Sequence, residues 1–295
     1  MIALTLRIRR GPGGTAIVLG ETVTFDSTPG AMPHPDRPHT TRGRPHCHRA
    51  SVAAVSTPDV DVQTRSETIV GPDGVGFAAH IAAPAGDETR PGVVVIQEIF
   101  GVNTYLRDVC DRLARLGYVA LAPDMFHRLE PGVRLENQDD ADLQTGIGYA
   151  MRFDGPQGVA DLGAALAHVR SLPECNGKAG VVGFCFGGTF AYLSAVHLDP
   201  DAAVSYYGSG VADAIGDISK VACPLLFHFG DSDPFIPNEQ VATIEGAIAG
   251  FANVDLVVHA GGGHAFDNSF SHFSQPAPAA AAWSRTTDFL AAHLC

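Results

Sequence analysis

The stretch that decides the fold reads Val181-Val182-Gly183-Phe184-Cys185-Phe186-Gly187-Gly188. The apolar run at 179–184 predicts a buried strand, and the residues after the two closing glycines predict a helix. Cys185 lies on the turn between them. This G-x-C-x-G pattern is typical of a nucleophile elbow, a sharp turn that lifts a nucleophile above a sheet and requires glycines because side chains would clash there. The free N–H groups of the following helix favour a thiolate. The alternative is a glycine-rich strand end that carries an inert core cysteine.

Strands and helices alternate on both sides of this stretch, from about Ser66 onward. A hairpin around Pro72-Asp73-Gly74 precedes the continuous apolar run at 92–97, which is typical of a buried parallel strand. Asn103 is predicted to cap a helix that ends at Gly117. The pattern predicts an α/β protein with a mostly parallel, doubly wound sheet flanked by helices, and ligands bind such sheets beyond the carboxyl ends of the strands.

Two later strand ends also carry chemically reactive side chains. Asp231 and Asp233 follow a predicted strand, and His264 follows three glycines after the last predicted strand. A cysteine nucleophile needs a base within hydrogen-bond reach and a third group that orients the base. The order Cys185, aspartate, histidine is that of α/β-hydrolases. We interpret His264 as the base and favour Asp233 as the acid, because a rigid proline-bounded loop follows it, over Asp231.

Composition limits the classes of function. The 295 residues, 45% of them hydrophobic, can bury one sizeable core. A net charge of −13 excludes nucleic acid and anionic membranes as the main partners and favours small molecules. The six cysteines form no C-x-x-C pair, which indicates reduced thiols and a cytoplasmic location. No stretch approaches the roughly 18 apolar residues of a membrane span.

The N-terminal region differs from the rest of the chain. We predict a weakly structured extension at 1–63 and a catalytic domain at 64–295. Residues 1–50 contain seven arginines against three acidic residues and no sustained periodicity. A targeting segment, a tail without fixed structure and a coding start placed too early are all compatible with this composition. The motif His46-Cys47-His48 does not favour a metal site, because zinc ligands are usually spaced by two or more residues.

Several motifs together resemble the dienelactone hydrolases (carboxymethylenebutenolidases) of the α/β-hydrolase fold. The motifs are Val95-Ile96-Gln97-Glu98-Ile99-Phe100-Gly101-Val102-Asn103, Pro123-Asp124-Met125-Phe126, Asn176-Gly177-Lys178, Gly183-Phe184-Cys185-Phe186-Gly187-Gly188, Tyr206-Tyr207-Gly208, His228-Phe229-Gly230-Asp231-Ser232-Asp233-Pro234-Phe235-Ile236-Pro237 and Gly263-His264-Ala265-Phe266. The resemblance extends from about Ser66 to Leu294.

The resemblance implies roles for named residues. It implies Cys185 as nucleophile, His264 as base and Asp233 as the orienting acid. It implies that Glu98 contacts the resting thiol and is displaced when substrate binds. It also implies that the backbone N–H groups of Ile99 and Phe186 form the oxyanion hole. The site implied by the resemblance therefore consists of Glu98, Ile99, Cys185, Phe186, Asp233 and His264.

The activity that follows is hydrolysis of small esters or lactones through an acyl-enzyme, with no metal or organic cofactor, by a monomer or weak homo-oligomer. The alternatives are a thioesterase or broad carboxylesterase with the same triad, and a non-catalytic receptor for a small molecule. Leu143 and Asn268 stand where the family's carboxylate-binding arginines are expected, and Ile147 stands where a tyrosine is expected. Neutral substrates are therefore favoured over dienelactone, unless Arg128 or Arg134 reaches the pocket.

Overall fold

The computed structural model describes residues 7–10, 16–19 and 60–295. Arg7–Arg10 (β1) and Ala16–Leu19 (β2) form a two-stranded antiparallel sheet. The rest of the predicted extension up to residue 59, including the His46-Cys47-His48 motif, lies outside the described residues. The next strand begins at Val62, inside the range 1–63 that the sequence assigns to the extension.

One eight-stranded sheet forms the centre of the molecule, in the order β10-β9-β8-β7-β5-β6-β4-β3. Strands β3 and β4 pair antiparallel, as do β4 and β6, and every other neighbouring pair is parallel. The strands are β3 Val62–Val70, β4 Gly76–Pro84, β5 Arg90–Ile96, β6 Val119–Pro123, β7 Cys175–Phe184, β8 Ala203–Tyr206, β9 Leu225–Gly230 and β10 Val254–His259.

Helices follow most of the parallel strands. They are α1 Thr104–Arg115, α2 Asp140–Arg152, α3 Gly155–Ser171, α4 Phe186–His197, α5 Val211–Ala214, α6 Asn238–Ile248 and α7 Pro276–Leu294, with a 3₁₀ helix at Ile215–Lys220. The predicted α/β class with a mostly parallel, doubly wound sheet is confirmed.

The central strands are mostly apolar because both faces of the sheet are covered. All six residues from Pro91 to Ile96 are buried, and so is the second half of β7. Helix α1 begins as predicted, since the Asn103 side chain accepts a hydrogen bond from the Leu106 N–H at 3.1 Å. Gly117 follows the helix with φ of +93°, a conformation that favours glycine.

One helix lies where the pattern of apolar residues predicts none. Helix α2 occupies the polar stretch at 125–157, and only Gly146, Tyr149 and Ala150 of its residues are buried. Such a small buried face gives a weak periodic signal. Among the residues that the structure describes, no helix is long and apolar enough to cross a membrane.

Candidate active site

Three loops at the carboxyl edge of the sheet bring Cys185, Asp233 and His264 together. Cys185 follows β7, Asp233 follows β9 and His264 follows β10. The Cys185 Sγ lies 3.0 Å from His264 Nε2, and His264 Nδ1 lies 2.8 Å from Asp233 Oδ2. The three side chains therefore form one continuous hydrogen-bonded chain at the edge where doubly wound sheets bind their ligands.

The backbone at Cys185 has the strained form of a nucleophile elbow. Its φ of 53° and ψ of −113° lie in a region that L residues rarely adopt. A Cβ on Gly183 would lie 1.9 Å from the Gly187 carbonyl oxygen, and one on Gly187 would lie 2.2 Å from that of Ile96. Only glycine fits at either position. The turn leaves the Cys185 side chain half-buried, directly before the first residue of α4.

Asp233 is held by its own loop. Its Oδ1 accepts hydrogen bonds from the backbone N–H groups of Phe235 at 2.8 Å and Ile236 at 3.2 Å. The carboxylate is buried, and its second oxygen contacts the His264 ring. Asp233 can therefore fix the orientation of that ring.

Asp231 has a different position. Its Oδ1 accepts hydrogen bonds from the Ser232 hydroxyl at 2.8 Å and the Gly261 N–H at 2.8 Å, and the residue is exposed. It ties together the loops that follow β9 and β10. Of the two aspartates that the sequence left as candidates, Asp233 is the one that contacts His264.

The electrostatic interactions among these three side chains favour the protonated form of His264. Burial alone would lower the pKa of His264, but the neighbouring Cys185 and the hydrogen bond to Asp233 raise that pKa well above its usual value. A proton is therefore stable on the His264 imidazole.

Glu98 lies in the same pocket and is almost fully buried. Burial raises the pKa of Glu98 to about 7, although the Asn268 amide and the charge of His264 oppose the shift. Its Oε2 accepts a 2.7 Å hydrogen bond from Asn268 Nδ2, while its Oε1 has no hydrogen-bond partner among the described residues. Among the described residues no hydrogen bond joins Glu98 to the Cys185 sulfur, which lies 3.0 Å from His264 Nε2; the displacement of Glu98 by substrate stays a prediction.

Gln138 is a site residue that the sequence analysis does not identify. Asn268 Nδ2 donates to Gln138 Oε1 at 2.7 Å as well as to Glu98. Gln138 and Asn268 are both buried, and Gln138 has φ of 52°. Gln138 lies in the polar stretch without periodicity, so no local signal identifies it.

The pocket above Cys185 has a volume of about 210 Å³ and an almost wholly apolar wall. Its lining residues are Glu98, Ile99, Phe100, Leu143, Ile147, Cys185, Ser209, Phe235, His264, Ala265 and Phe273. Helix α2 contributes Leu143 and Ile147. No arginine lines the pocket within the described part of the chain. A pocket with this wall suits a small, uncharged group.

Arg128 and Arg134, the two arginines that could have replaced those missing at Leu143 and Asn268, form ion pairs outside the pocket. Arg128 forms ion pairs with Asp73 at 2.7 Å and Asp161 at 2.8 Å. Arg134 pairs with Glu136 at 2.7 Å. Among the described residues, no group of three or more histidine, cysteine or acidic side chains is arranged to hold a metal ion.

Comparison with known proteins agrees with this geometry. The model of the dienelactone hydrolase family matches residues 77–294. The carboxymethylenebutenolidase of Pseudomonas putida is 38% identical over 233 residues, which cover 77% of this chain and 96% of the relative. That of Pseudomonas sp. strain P51 is 34% identical over 77% of this chain and 94% of its own length.

A solved structure is similar as well. The crystal structure of a Klebsiella pneumoniae protein assigned as a dienelactone hydrolase superposes with a TM-score of 0.66 at 27% identity. The match covers 78% of this chain and 99% of that one. The resemblance drawn from the sequence motifs is confirmed by these matches.

Proposed function

The chain belongs to the dienelactone hydrolase family, and from this premise we propose that it hydrolyses small, uncharged esters or lactones with Cys185 as its nucleophile. The observation that carries the proposal is the hydrogen-bonded chain from the Cys185 sulfur through His264 to Asp233, with contacts of 3.0 and 2.8 Å. Cys185 and His264 line an apolar pocket, and no arginine lines this pocket among the described residues.

In the first half of the reaction the Cys185 thiolate attacks the substrate carbonyl carbon, and the carbonyl electrons move to oxygen. The proposed donors to this oxyanion are the backbone N–H groups of Phe186 and Ile99. Phe186 is the first residue of α4, so its N–H has no acceptor within the helix. Each such donor typically contributes about 10²–10³ to the rate.

Collapse of the tetrahedral intermediate breaks the bond to the leaving alkoxide, which takes a proton from the His264 imidazolium. The product is a thioester between Cys185 and the acyl group. In the second half, neutral His264 removes a proton from water, and the resulting hydroxide adds to the thioester carbonyl carbon. Collapse of this second tetrahedral intermediate breaks the carbon–sulfur bond, releases the carboxylic acid and restores the Cys185 thiolate beside the His264 imidazolium. Asp233 keeps the His264 ring in one orientation through both steps.

The nucleophile is tested with Cys185→Ala and a chromogenic aryl acetate. We expect kcat/KM to fall by at least about 10³-fold, because removing one member of a catalytic triad disables the unit. The control is Cys223→Ala, a half-buried cysteine outside the pocket, which should retain wild-type activity. Full activity of Cys185→Ala would remove Cys185 as nucleophile. A wild-type protein that binds esters without hydrolysing them would instead be a receptor.

Substrate charge is tested by comparing a neutral aryl acetate with an aryl hemisuccinate, which carries a carboxylate. The wild type should prefer the neutral ester, since a carboxylate in this pocket loses hydration without gaining a partner. Leu143→Arg should raise kcat/KM for the anion by roughly 10-fold or more, as one charge-assisted contact contributes about 1.5–3 kcal/mol. Gln144→Arg adds the same charge at an exposed neighbouring position and should leave the ratio unchanged. A wild-type preference for the anion contradicts the proposal.

A further inference from the structure

A second cavity lies apart from the active site and has a basic wall. Its volume is about 210 Å³, and it shares no lining residue with the pocket above Cys185. Strands β3 and β4, helix α1 and the loop at 132–134 surround it. Arg65, Arg107 and Arg134 line it, with Asp124 as the one carboxylate among its lining residues. Among the lining residues themselves, three arginines therefore stand beside one carboxylate.

The arginines of this cavity differ in how their charge is balanced. Arg65 pairs with glutamates at both ends of its guanidinium, and Arg134 pairs with Glu136. Arg107 is half-buried, and its Nε donates to the Val102 carbonyl oxygen at 3.3 Å. Among the residues that the structure describes, no carboxylate forms a hydrogen bond or an ion pair with Arg107. Burial and the charge of Arg134 lower the pKa of Arg107, and the charge of Glu136 opposes this shift in part.

Asp124, the carboxylate that lines the cavity, bonds backbone groups and forms no ion pair with Arg107 among the described residues. Both Asp124 oxygens accept backbone N–H groups, from Phe126 at 3.1 Å and Gly132 at 2.7 Å. His80 Nε2 is shielded from solvent and has no hydrogen-bond partner among the described residues. Burial, together with the charges of Arg107 and Arg134, lowers the pKa of His80 to about 4. The positive charges of both arginines therefore converge on this wall.

We propose that this cavity binds a small oxyanion, of the size of phosphate, between Arg107 and Arg134. Guanidinium groups match the geometry of phosphate and carboxylate oxygens, and contacts to them are charge-assisted. A bound oxyanion would relieve the repulsion between the two arginines and give the free nitrogens of Arg107 an acceptor. The site is independent of ester hydrolysis, because none of its lining residues takes part in the proposed reaction.

The test is calorimetric titration of the full chain with inorganic phosphate, sulfate and acetate at constant ionic strength. Arg107→Gln should weaken phosphate binding at least about 10-fold, the value of one charge-assisted contact. The control Arg115→Gln removes the same charge from an exposed position on the same helix and should leave the affinity within about two-fold of wild type. The sulfate and acetate titrations decide whether tetrahedral or planar oxyanions are preferred.

Two further measurements keep the outcome decisive. In the wild type, phosphate should raise the pKa of His80 followed by NMR, because the anion offsets the arginine charges. Cys185→Ser should keep the phosphate affinity of wild type, and a loss of binding there would assign the anion to the active site and overturn the proposal. Absence of binding by all three anions over the millimolar range, or equal weakening in Arg107→Gln and Arg115→Gln, would also overturn it.

Discussion

Glu98 is a buried carboxylate whose hydrogen-bond partner, the side-chain amide of Asn268, is neutral. An ionised carboxylate in such a place is less stable than in water, and the pKa of Glu98 rises to about 7 for this reason. In the unfolded chain the same group titrates near its usual pKa of about 4.5. Between these two values the folded state binds the extra proton. The free energy of unfolding therefore decreases as the pH rises from about 4.5 to about 7.

Replacement of Glu98 by glutamine should therefore stabilise the protein at pH 8. The expected gain is roughly 3–3.5 kcal/mol, from a pKa difference of about 2.5 units at about 1.4 kcal/mol per unit. The glutamine oxygen can still accept from Asn268. At pH 5 the gain should fall below about 1 kcal/mol. Urea unfolding at both pH values measures it, with the exposed Glu239→Gln as control. An equal change at both pH values would contradict the assigned pKa.

Individual site residues can be predicted from the sequence only where the residues around them carry a recognisable pattern. Cys185, Asp233 and His264 each follow a strand and lie on a turn of characteristic composition, so the sequence alone identifies them as candidates. Their contacts with one another come from the structure. Gln138 has no such signal, because its contact with Asn268 joins residues far apart in the chain. The partner of Glu98 is unpredictable for the same reason.

Helix α2 is the element that shapes the pocket, and it packs closely against the proposed oxyanion loop. A Cβ on Gly146 would lie 2.6 Å from the Ile99 carbonyl oxygen and 3.0 Å from its side chain. Any larger residue must therefore displace the backbone of Ile99. Gly148, two residues further along the same helix, has no atom within 4 Å of its Cβ position.

Gly146→Ala should lower kcat for aryl acetates by about 10-fold or more with little change in KM, because a displaced Ile99 N–H weakens the oxyanion hole. Gly148→Ala should leave kcat unchanged and raise the free energy of unfolding by about 0.5–1 kcal/mol through helix propensity. Steady-state kinetics and urea unfolding of both variants measure these effects. Equal kinetics for the two variants would remove Ile99 from the oxyanion hole.

Elements with strong local signals agree closely with their prediction. Helix α1 begins directly after Asn103, as predicted from its capping residue. Helix α3 begins at Gly155, where Asp154 caps it by accepting from the Gln157 N–H at 3.1 Å. Helix α2 has two glycines and a narrow buried face, and its position depends on packing against a distant loop. Sequence periodicity carries no information on such packing.

Across the whole molecule, a chain of buried polar groups joins three strands and the last helix. His228 Nδ1 lies 2.9 Å from His259 Nε2, His228 Nε2 lies 3.0 Å from the Thr286 hydroxyl, and that hydroxyl lies 2.6 Å from the Tyr206 hydroxyl. Burial lowers the pKa of both histidines, and for His228 the charge of His259 adds to the effect. Both histidines are therefore stable in the neutral form.

This pair should make the protein sensitive to acid. The unfolded histidines titrate near pH 6.5, so below that value the unfolded chain binds more protons and stability decreases as the pH falls. In the Glu98→Gln variant, which lacks the opposing carboxyl group, the free energy of unfolding should fall by at least about 1 kcal/mol between pH 6.5 and 5.5. Urea unfolding at the two pH values checks this. No decrease would show that the pair is protonated in the folded state.

The strand order of the sheet also has a kinetic consequence. The β3–β4 hairpin pairs residues that are close together in the sequence, such as Val70 and Gly76. In contrast, Val93 of β5 pairs with Gly180 of β7, and a long segment of the chain lies between them. Contacts between distant residues form slowly, because a long loop must close before any of them stabilises the chain. Cys185, Asp233 and His264 follow three different parallel strands, so they meet only after those pairings exist. The return of ester hydrolysis during refolding should therefore mark the completion of the sheet and lag behind the recovery of secondary structure.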